Sequence, residues 1–264
     1  MDIFIPILIL TSLGAVFGVG LALASKKFAV RSDPRLDKIL GLLPGSNCGA
    51  CGGAGCFGFV ESVLSGKLGV DACRVSGEEV KAEIARLLGR KLEQKVKKVA
   101  LPRCNGGAKV KERFIYRGIK TCAAANLVLG GQKACVFGCL GFGDCVRACP
   151  FGAIKIPREN LPVVDEKKCK ACNKCVAACP KKLFTLAPVT GKVYVACGSH
   201  DAGKDTREVC PVGCIACGLC QKACKFDAIH VLDNLAVIDY QKCTSCGECA
   251  RVCPMKTIRI KQGG

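Results

Sequence analysis

The sequence has few of the side chains on which most enzyme active sites depend. Its 264 residues include no tryptophan, only two methionines and only two histidines, His200 and His230. Any metal ligation therefore has to come from cysteine thiolates. The chain has no Ser/His/Asp set, no dinucleotide-binding fingerprint and no Walker loop. We therefore expect no catalytic residue and no flavin, NAD or nucleotide site on it.

Acidic and aromatic residues are also scarce. There are 21 Asp and Glu residues against 40 Lys and Arg, a formal net charge of +19, and aromatic residues make up 5% of the chain. A strongly basic chain is typical of nucleic-acid-binding proteins, but such proteins often stack bases on aromatic side chains. Disorder over the whole length is excluded because 50% of the residues are hydrophobic.

Cysteine, by contrast, is abundant, with 24 residues. Two interpretations compete: a secreted disulfide scaffold and a reduced, intracellular metalloprotein. Disulfide-dense domains are usually small and their cysteines are scattered. This chain is long, and most of its cysteines are bunched at spacings of three. The pattern favours the reduced metalloprotein.

Four runs of cysteines have the spacing of ferredoxin cluster loops or one close to it. C-x2-C-x2-C-x3-C-P begins at Cys169 and again at Cys243, and a third run from Cys214 has Lys225 in place of the proline. The run from Cys135 is wider, C-x3-C-x5-C-x3-C-P. Zinc is usually held by two separated C-x2-C pairs around one ion. Four cysteines in one run therefore favour iron–sulfur clusters.

In a two-cluster ferredoxin the first three thiolates of a run hold one cluster, and the fourth reaches the other. This crossed ligation predicts four clusters, whose ligands we call sets 2 to 5. They are Cys135, Cys139, Cys145 and Cys179 (set 2); Cys169, Cys172, Cys175 and Cys149 (set 3); Cys214, Cys217, Cys220 and Cys253 (set 4); and Cys243, Cys246, Cys249 and Cys224 (set 5).

The chain opens with an uncharged run of 22 residues, Ile3 to Ala24. As a helix it would span roughly 33 Å, enough to cross the hydrocarbon core of a membrane, although a buried core helix is the alternative. The first basic residues follow the run: Lys26, Lys27, Arg31 and Arg35. The positive-inside rule then predicts a single-pass inner-membrane protein with its N-terminus outside and its cluster domains in the cytoplasm.

A glycine-rich cysteine loop follows the anchor. Cys48, Cys51, Cys56 and the distant Cys73 have the spacing C-x2-C-x4-C-x16-C. The glycines among them let the backbone close around a cofactor and point N–H groups at its sulfur atoms. The apolar anchor, the NCGACGGAGC loop and the ferredoxin-like runs cover essentially the whole chain in this order. In this they resemble the B subunit (RnfB) of the Rnf ion-translocating electron-transport complexes.

The resemblance implies that Cys48, Cys51, Cys56 and Cys73 hold one [4Fe–4S] cluster; we call these four residues set 1. It also implies a membrane-bound oxidoreductase that couples electron flow between ferredoxin and NAD to a Na⁺ or H⁺ gradient. Within it this chain would be an electron-relay subunit with no substrate-converting site. Expected partners are other membrane subunits, the membrane and an acidic ferredoxin steered by the basic surface, but no nucleic acid. The alternatives are a polyferredoxin subunit of a hydrogenase or another membrane reductase, and a zinc-containing nucleic-acid-binding protein.

Two further patterns predict the organisation of the chain. Ser76 to Val99 has apolar residues near helical spacing and a Ser76/Glu79 capping box, which predicts an amphipathic helix. Residues 159–180 align without gaps to residues 233–254, with ten of 22 positions identical, and apolar runs flank their cysteine loops. We expect an α+β protein with a transmembrane anchor (1–25), a small four-cysteine [4Fe–4S] domain that includes the amphipathic helix (26–100), and two tandem dicluster ferredoxin-like units (101–185 and 186–264).

Four cysteines remain: Cys104, Cys122, Cys197 and Cys210. They predict a sixth cluster, and buried free thiols are the alternative. A [4Fe–4S] core with four thiolates carries a charge of about 2−, so six of them would lower the formal charge from +19 to about +7. Much of the basic excess would then compensate for the cofactors.

Overall fold

The computed structural model describes residues 4–27, 33–92, 96–157 and 160–261. Short helices and strands alternate over most of the chain, which confirms the α+β prediction. The helices are α1 (Phe4–Lys27), α2 (Pro34–Leu42), α3 (Gly55–Leu64), α4 (Glu78–Leu87), α5 (Cys122–Leu127), α6 (Asp144–Arg147), α7 (Lys174–Ala178), α8 (Gly203–Val209), α9 (Leu219–Lys222) and α10 (Glu248–Arg251). The strands are β1 (Lys98–Pro102), β2 (Ile154–Lys155), β3 (Val163–Val164), β4 (Phe184–Pro188), β5 (Val193–Val195), β6 (Ile229–Leu232), β7 (Leu235–Ile238) and β8 (Ile258–Ile260).

The first helix, α1, is apolar and exposed. Its span from Ile7 to Lys27 has a mean hydropathy of 2.3, and none of it is buried against the rest of the chain. The helix has 24 residues, a length of about 36 Å. A buried core helix would not be exposed in this way, so the geometry favours a membrane-crossing anchor. Residues 1–3 of the predicted anchor, and Arg31 among the basic residues that follow it, lie outside the described residues.

Helices α2, α3 and α4 form a small core of their own, with Ile39, Phe59 and Ile84 fully buried. This core packs against Cys51, Cys56 and Cys73, so the helices and the glycine-rich cysteine loop form one module. The module corresponds to the four-cysteine domain expected from the sequence.

The amphipathic helix predicted from Ser76 to Val99 is shorter in the structure. Helix α4 ends at Leu87 because Gly89 has a φ of +62°, and the N–H of Arg90 donates to the carbonyl of Ala85 at 2.9 Å. Val99 lies in strand β1 instead. Residues 93–95 of the predicted helix lie outside the described residues.

The predicted capping box is wrong. The N-cap residue of α4 is Gly77, which forms no side-chain cap. The Ser76 hydroxyl lies 3.0 Å from the Cys73 sulfur instead. The serine therefore supports the cysteine loop and not the helix.

The eight strands form four two-stranded antiparallel sheets. In the first unit β1 pairs with β4 and β2 with β3; in the second, β5 pairs with β8 and β6 with β7. Each unit thus has one sheet that joins its two ends and one hairpin between them. The boundaries expected at residues 100 and 185 fall inside β1 and β4, so this pairing extends the first unit a few residues beyond both limits.

The internal sequence repeat is also a structural repeat. The N–H of Cys169 donates to the Asp165 carbonyl at 2.9 Å, and that of Cys243 donates to the Asp239 carbonyl at 3.0 Å. Each aspartate carboxylate also accepts a bond from the N–H two residues later, at 2.9 Å and 2.8 Å. The same turn therefore leads from a strand into the cysteine loop in both units. Glu159, at the start of the repeat, lies outside the described residues.

The two units are packed together through tyrosines. Tyr194 and Tyr240, from the second half of the chain, pack on the core of the first unit. The Tyr240 hydroxyl donates a hydrogen bond to the carbonyl of Val193 at 3.1 Å. The two units therefore share a buried contact.

Candidate iron–sulfur sites

Set 1 lies around one cavity at the start of α3. Cys48, Cys51, Cys56 and Cys73 all line it, and the space between them, part of it open to solvent, is about 310 Å³. The side chain of Asn47 fixes the loop by accepting a hydrogen bond from the N–H of Cys56 at 2.8 Å. The sequence-distant Cys73 is thus brought beside the glycine-rich loop.

Sets 4 and 5 line two further cavities in the second unit. Cys214, Cys217, Cys220 and Cys253 surround one, and Cys224, Cys243, Cys246 and Cys249 surround the other. The space within each, part of it open to solvent, is about 350 Å³. Their walls are almost entirely apolar apart from the thiols. The structure therefore brings together the same cysteines that crossed ligation groups together.

Set 3 lies in the core of the first unit. Cys169 and Cys175 are buried there, with Cys149 partly buried against them. Burial raises the pKa of Cys172, and the neighbouring thiols of Cys149, Cys48 and Cys169 raise it further. Cys172 therefore lies near its own set and also near Cys48 of set 1.

Set 2 differs from the predicted grouping at one position. The cavity that holds Cys139, Cys145 and Cys179 is lined by Cys122 and Cys104 as well, while Cys135 does not line it. Helix α5 begins at Cys122, and its first N–H groups donate to the Asp144 carboxylate at 3.0 and 2.9 Å. Because Asp144 directly precedes Cys145, this contact holds Cys122 beside set 2.

The register of the first cysteine run explains this difference. Cys139 and Cys145 are six residues apart, as are Cys169 and Cys175, so residues 139–150 align with residues 169–180. Phe142 then stands where the second cysteine of the loop stands in the other run. The predicted first run, which begins at Cys135, misses this alignment, although the shared C-V-x-A-C-P ending indicates it.

The backbone confirms that register. In the loop from Cys169, Ala171 and Asn173 have φ values of +50° and +65°; the corresponding Gly141 and Gly143 have +81° and +82°. The ring of Tyr116 lies 5.6 Å from that of Phe142, and Lys120 lies over Phe142 at 5.7 Å. The segment before Cys122 therefore folds over Phe142 and delivers a thiol from outside the run.

The cysteines left over are Cys104, Cys135, Cys197 and Cys210. Cys135 and Cys210 share a small buried core with Val110. Burial raises the pKa of Cys135 to about 12, and the thiols of Cys210, Cys104 and Cys197 add to the shift. The structure thus places Cys122, and not Cys135, on the wall of the cavity of set 2, and it places Cys135 beside Cys210 of the predicted sixth set.

The cavities fit a cluster better than a single ion. All 24 cysteines lie within the described ranges and are free, and among the described residues no three metal-binding side chains converge closely enough to hold one ion. A cubane cluster holds its four thiolates further apart than one ion does. Burial raises the pKa of Cys139 and of Cys175 to about 12, so these thiols are protonated unless a cationic core offsets the cost.

Backbone N–H groups point at the sulfur atoms, as ligand thiolates require. Ala153, Leu183 and Ala228 donate to the fourth cysteine of their runs, Cys149, Cys179 and Cys224, at 3.4, 3.5 and 3.4 Å. Each donor lies four residues after its acceptor, so the bond recurs with the cysteine run. Such bonds stabilise thiolates and raise the reduction potential of a cluster.

Family comparisons agree with this assignment. The "FeS" family model, an Fe–S cluster domain, matches residues 43–75. One 4Fe–4S dicluster domain model matches residues 133–184 and again 213–258, and a second matches residues 168–228. These matches favour iron–sulfur clusters over zinc. They confirm the expected plan of a small Fe–S domain followed by dicluster ferredoxin domains.

Curated relatives match almost the whole chain. The B subunit of the Na⁺-translocating ferredoxin:NAD⁺ oxidoreductase complex of Acetobacterium woodii is 46% identical over 97% of this chain and 77% of its own length. The B subunit of the ion-translocating oxidoreductase complex of Methanosarcina acetivorans is 43% identical over 97% of both chains. The corresponding B subunit of the proton-translocating complex of Clostridium ljungdahlii is 41% identical over 90% of this chain and 85% of its own. The chain belongs to the family formed by the B subunits of the ion-translocating oxidoreductase complexes, the Rnf complexes.

Proposed function

We propose that this chain is the electron-relay subunit of an ion-translocating ferredoxin:NAD oxidoreductase. It carries single electrons between ferredoxin and the membrane subunits and converts no substrate itself. The observation that carries the proposal is the contiguity of the thiol sets. Cys48 of set 1 is close enough to Cys172 of set 3 for its thiol to help raise the pKa of Cys172, and one buried core holds both Cys145 of set 2 and Cys175 of set 3. In the second unit one core holds cysteines of both set 4 and set 5.

The ligands we assign for the first unit follow the geometry of the cavities. Set 1 and set 3 keep the predicted residues, and set 2 becomes Cys122, Cys139, Cys145 and Cys179. When bound, a [4Fe–4S] cluster supplies one-electron redox chemistry without proton transfer to a substrate. The protein's part is to supply thiolates, to donate N–H groups to them, and to exclude water by burial.

Helix α1 anchors the relay in the membrane. Its last turn carries Lys26 and Lys27, and Arg35 follows on α2. By the positive-inside rule, basic residues on this side favour an orientation with the cluster domains in the cytoplasm and the N-terminus outside. The four-cysteine module follows the anchor directly, so set 1 is the set nearest to the membrane subunits along the chain.

The second unit is the end of the series that we assign to ferredoxin. Its Cys217 and Cys246 are the two cysteines with exposed side chains. Exposed lysines follow or precede ligands of both sets in the sequence: Lys242 stands before Cys243, and Lys256 lies three residues after Cys253. A basic rim around an accessible cluster would steer an acidic ferredoxin and speed its encounter at low salt.

Reduced ferredoxin added to membrane vesicles of opposite orientation tests the proposal. With the complete complex present, inverted vesicles expose the cytoplasmic face, and we expect ferredoxin to reduce the clusters seen by EPR at a rate that falls as salt rises. Intact right-side-out vesicles should show no reduction. Lys242→Glu with Lys256→Glu should slow the reaction, whereas Lys38→Glu, an exposed charge reversal on α2, should not.

Two results would contradict the proposal. Equal reduction of right-side-out vesicles would overturn the orientation. A salt-independent rate, unchanged in the Lys242 and Lys256 variant, would overturn the assignment of the second unit as the ferredoxin-facing end.

A further inference from the structure

Residues 113–131 form a closed loop on the first ferredoxin unit, which we call the apolar loop. Its ends are held together, because the N–H of Arg113 donates to the carbonyl of Gln132 at 2.7 Å. The guanidinium of Arg113 donates to the carbonyls of Leu129 and Gly131 at 2.7 and 3.0 Å. The scaffold therefore fixes both ends of the loop, and binding residues are often carried on loops positioned in this way.

Four aliphatic side chains of the apolar loop are largely exposed. Ile115 is 79% exposed, Ile119 73%, Leu127 86% and Leu129 77%. Leu129 also has a φ of +49°, a left-handed conformation that costs a leucine free energy. A group of exposed aliphatic side chains marks a surface that binds a protein or a membrane. The loop is therefore a candidate contact surface.

Contacts within the loop fix its shape. The Tyr116 hydroxyl donates to the carbonyl of Ile119 at 3.1 Å, and the ammonium group of Lys120 donates to the carbonyl of Tyr116 at 3.2 Å. The same ammonium group lies 5.9 Å from the centre of the Tyr116 ring and 5.7 Å from that of Phe142. These polar groups are thus used inside the loop, while the aliphatic side chains face solvent. A partner that matches this shape would bind with little loss of conformational entropy in the loop.

The surroundings of the exposed aliphatic side chains are basic. Residues 109–131 contain one acidic residue, Glu112, which pairs with Lys133 at 3.1 Å. They contain five basic residues, all exposed: Lys109, Lys111, Arg113, Arg117 and Lys120. An apolar centre with a basic rim is complementary to a surface with an apolar centre and an acidic rim.

The position of the loop favours a protein partner over a lipid surface. Helix α5 lies in the loop and begins at Cys122, which lines the cavity of set 2. The carboxylate of Asp144, the residue before Cys145, holds the start of the helix. A partner on the loop therefore lies beside set 2, where a subunit with its own redox centre can exchange electrons and a lipid cannot. Lipid surfaces also bind basic and apolar side chains without needing a loop of fixed shape.

We propose that the apolar loop is the docking surface of another protein subunit of the complex, and that this subunit has a contact surface with an apolar centre and an acidic rim. The proposal rests on the relay function proposed above. The docked subunit carries a one-electron centre, and one electron passes between that centre and the cluster of set 2, with no bond broken and no proton moved. Set 2 is then the exit for electrons that ferredoxin delivers to the second unit.

Cross-linking in the complete complex identifies the partner. Leu127→p-benzoylphenylalanine places a photoreactive group at the most exposed of the four aliphatic positions. On irradiation of membranes that hold the complex, we expect a cross-link to another subunit, at a segment that contains aliphatic residues and Asp or Glu. An adduct with lipid, a cross-link to a second copy of this chain, or no adduct at all would overturn the proposal.

Leu127→Glu with Leu129→Glu tests the electron path in inverted vesicles that hold the complete complex. Carboxylates on the loop repel an acidic rim, so we expect the reduction of NAD⁺ by ferredoxin to slow by about tenfold. Ferredoxin should still reduce the clusters of this variant at the unmodified rate, because it docks on the second unit. The control is Val163→Glu with Leu232→Glu, which adds the same charge at two exposed aliphatic positions outside the loop and should change neither rate.

Failure of the docking proposal and failure of the relay function give different results. Unchanged NAD⁺ reduction in the loop variant, with its clusters reduced normally, would overturn docking at the loop and leave the relay function in place. An unmodified complex whose clusters ferredoxin cannot reduce would overturn the relay function itself. If the glutamate variant loses its iron, Leu127→Ala with Leu129→Gly makes the same test, since glycine accepts the left-handed conformation of Leu129. NAD⁺ reduction should again be slowed, and an unchanged rate would again overturn docking at the loop.

Discussion

Removing Cys122 tests how the first ferredoxin unit completes set 2. The cavity of Cys139, Cys145 and Cys179 has Cys122 on its wall, while Phe142 stands at the second position of the cysteine loop. Cys122→Ala leaves three ligands of set 2. We therefore expect iron to fall by about four atoms per chain, roughly one sixth of the total, with the EPR signal of one cluster lost.

Adding Phe142→Cys to Cys122→Ala should restore the iron. A cysteine at this position repeats the spacing of the loops at Cys169 and Cys243, and Cys246, at the corresponding position of the latter, lines its cavity. The change removes the contacts of Phe142 with Tyr116 and Lys120. These are worth about 0.5–1.5 kcal/mol for the ring pair and about 0.5–1 kcal/mol for the cation. The restored chain should therefore hold all its iron but unfold slightly more easily.

The control is Phe142→Ala with Cys122→Ala, which loses the same ring contacts and adds no thiol. Iron and acid-labile sulfide, EPR of the reduced protein and thermal unfolding should be measured on each variant. The reasoning is refuted if Cys122→Ala keeps its full iron content. It is also refuted if the alanine control regains iron as well as the cysteine variant does.

Two further predictions concern residues that are not ligands. A Cβ atom at Gly53 would lie 2.7 Å from the Phe59 nitrogen, so Gly53→Ala should displace the start of α3 and lose the cluster of set 1, about four iron atoms. The control is Gly77→Ala, where the added Cβ atom has no atom within 4 Å, and it should lose no iron. A full iron content in Gly53→Ala would contradict this prediction. Burial raises the pKa of Tyr240 from 10.0 to about 12, so the stability contributed by its neutral phenol is present below pH 10 and is lost as pH rises towards 12. Tyr240→Phe, which removes the hydrogen bond to Val193, should cost about 1 kcal/mol at neutral pH and reduce the loss of stability above pH 10. Denaturant unfolding of both proteins at neutral pH and above pH 10 measures this difference in stability. An equal loss of stability above pH 10 in the two proteins would argue against a role for Tyr240.

Local patterns predicted much of the architecture. The uncharged run from Ile3 to Ala24 predicted the long exposed helix α1, and the apolar runs that follow the cysteine loops lie at strands β2, β4, β6 and β8. The long amphipathic helix was wrong, because one glycine in the left-handed region ended α4 after Leu87. The spacing of the apolar residues predicted that the helix continues past Gly89, but the left-handed backbone conformation of Gly89 ends it.

Spacing alone determined the cysteine sets whose members lie in complete runs. The cysteines of set 4 line one cavity and those of set 5 line another, as their spacing predicts, because a C-x2-C-x2-C loop has a nearly fixed path. Set 1 follows equally from its local loop, with Cys73 returning beside it. The first three ligands of each of these sets are linked by short segments of chain, so sequence distance limits the distance between them.

Only the tertiary structure decided which thiols Cys122 and Cys135 lie beside. Each comes from a segment outside a complete run, and its distance from any other thiol depends on contacts that spacing does not constrain. For Cys122 the contact is with the Asp144 carboxylate at the start of α5, and for Cys135 it is the buried core with Val110 and Cys210. The sequence by itself determined that this is an iron–sulfur protein with an N-terminal helix long enough to cross a membrane, and it predicted five or six sets of four thiols. Which thiols join between the two units follows from the packing of segments far apart in the chain, since no local rule fixes how those segments meet.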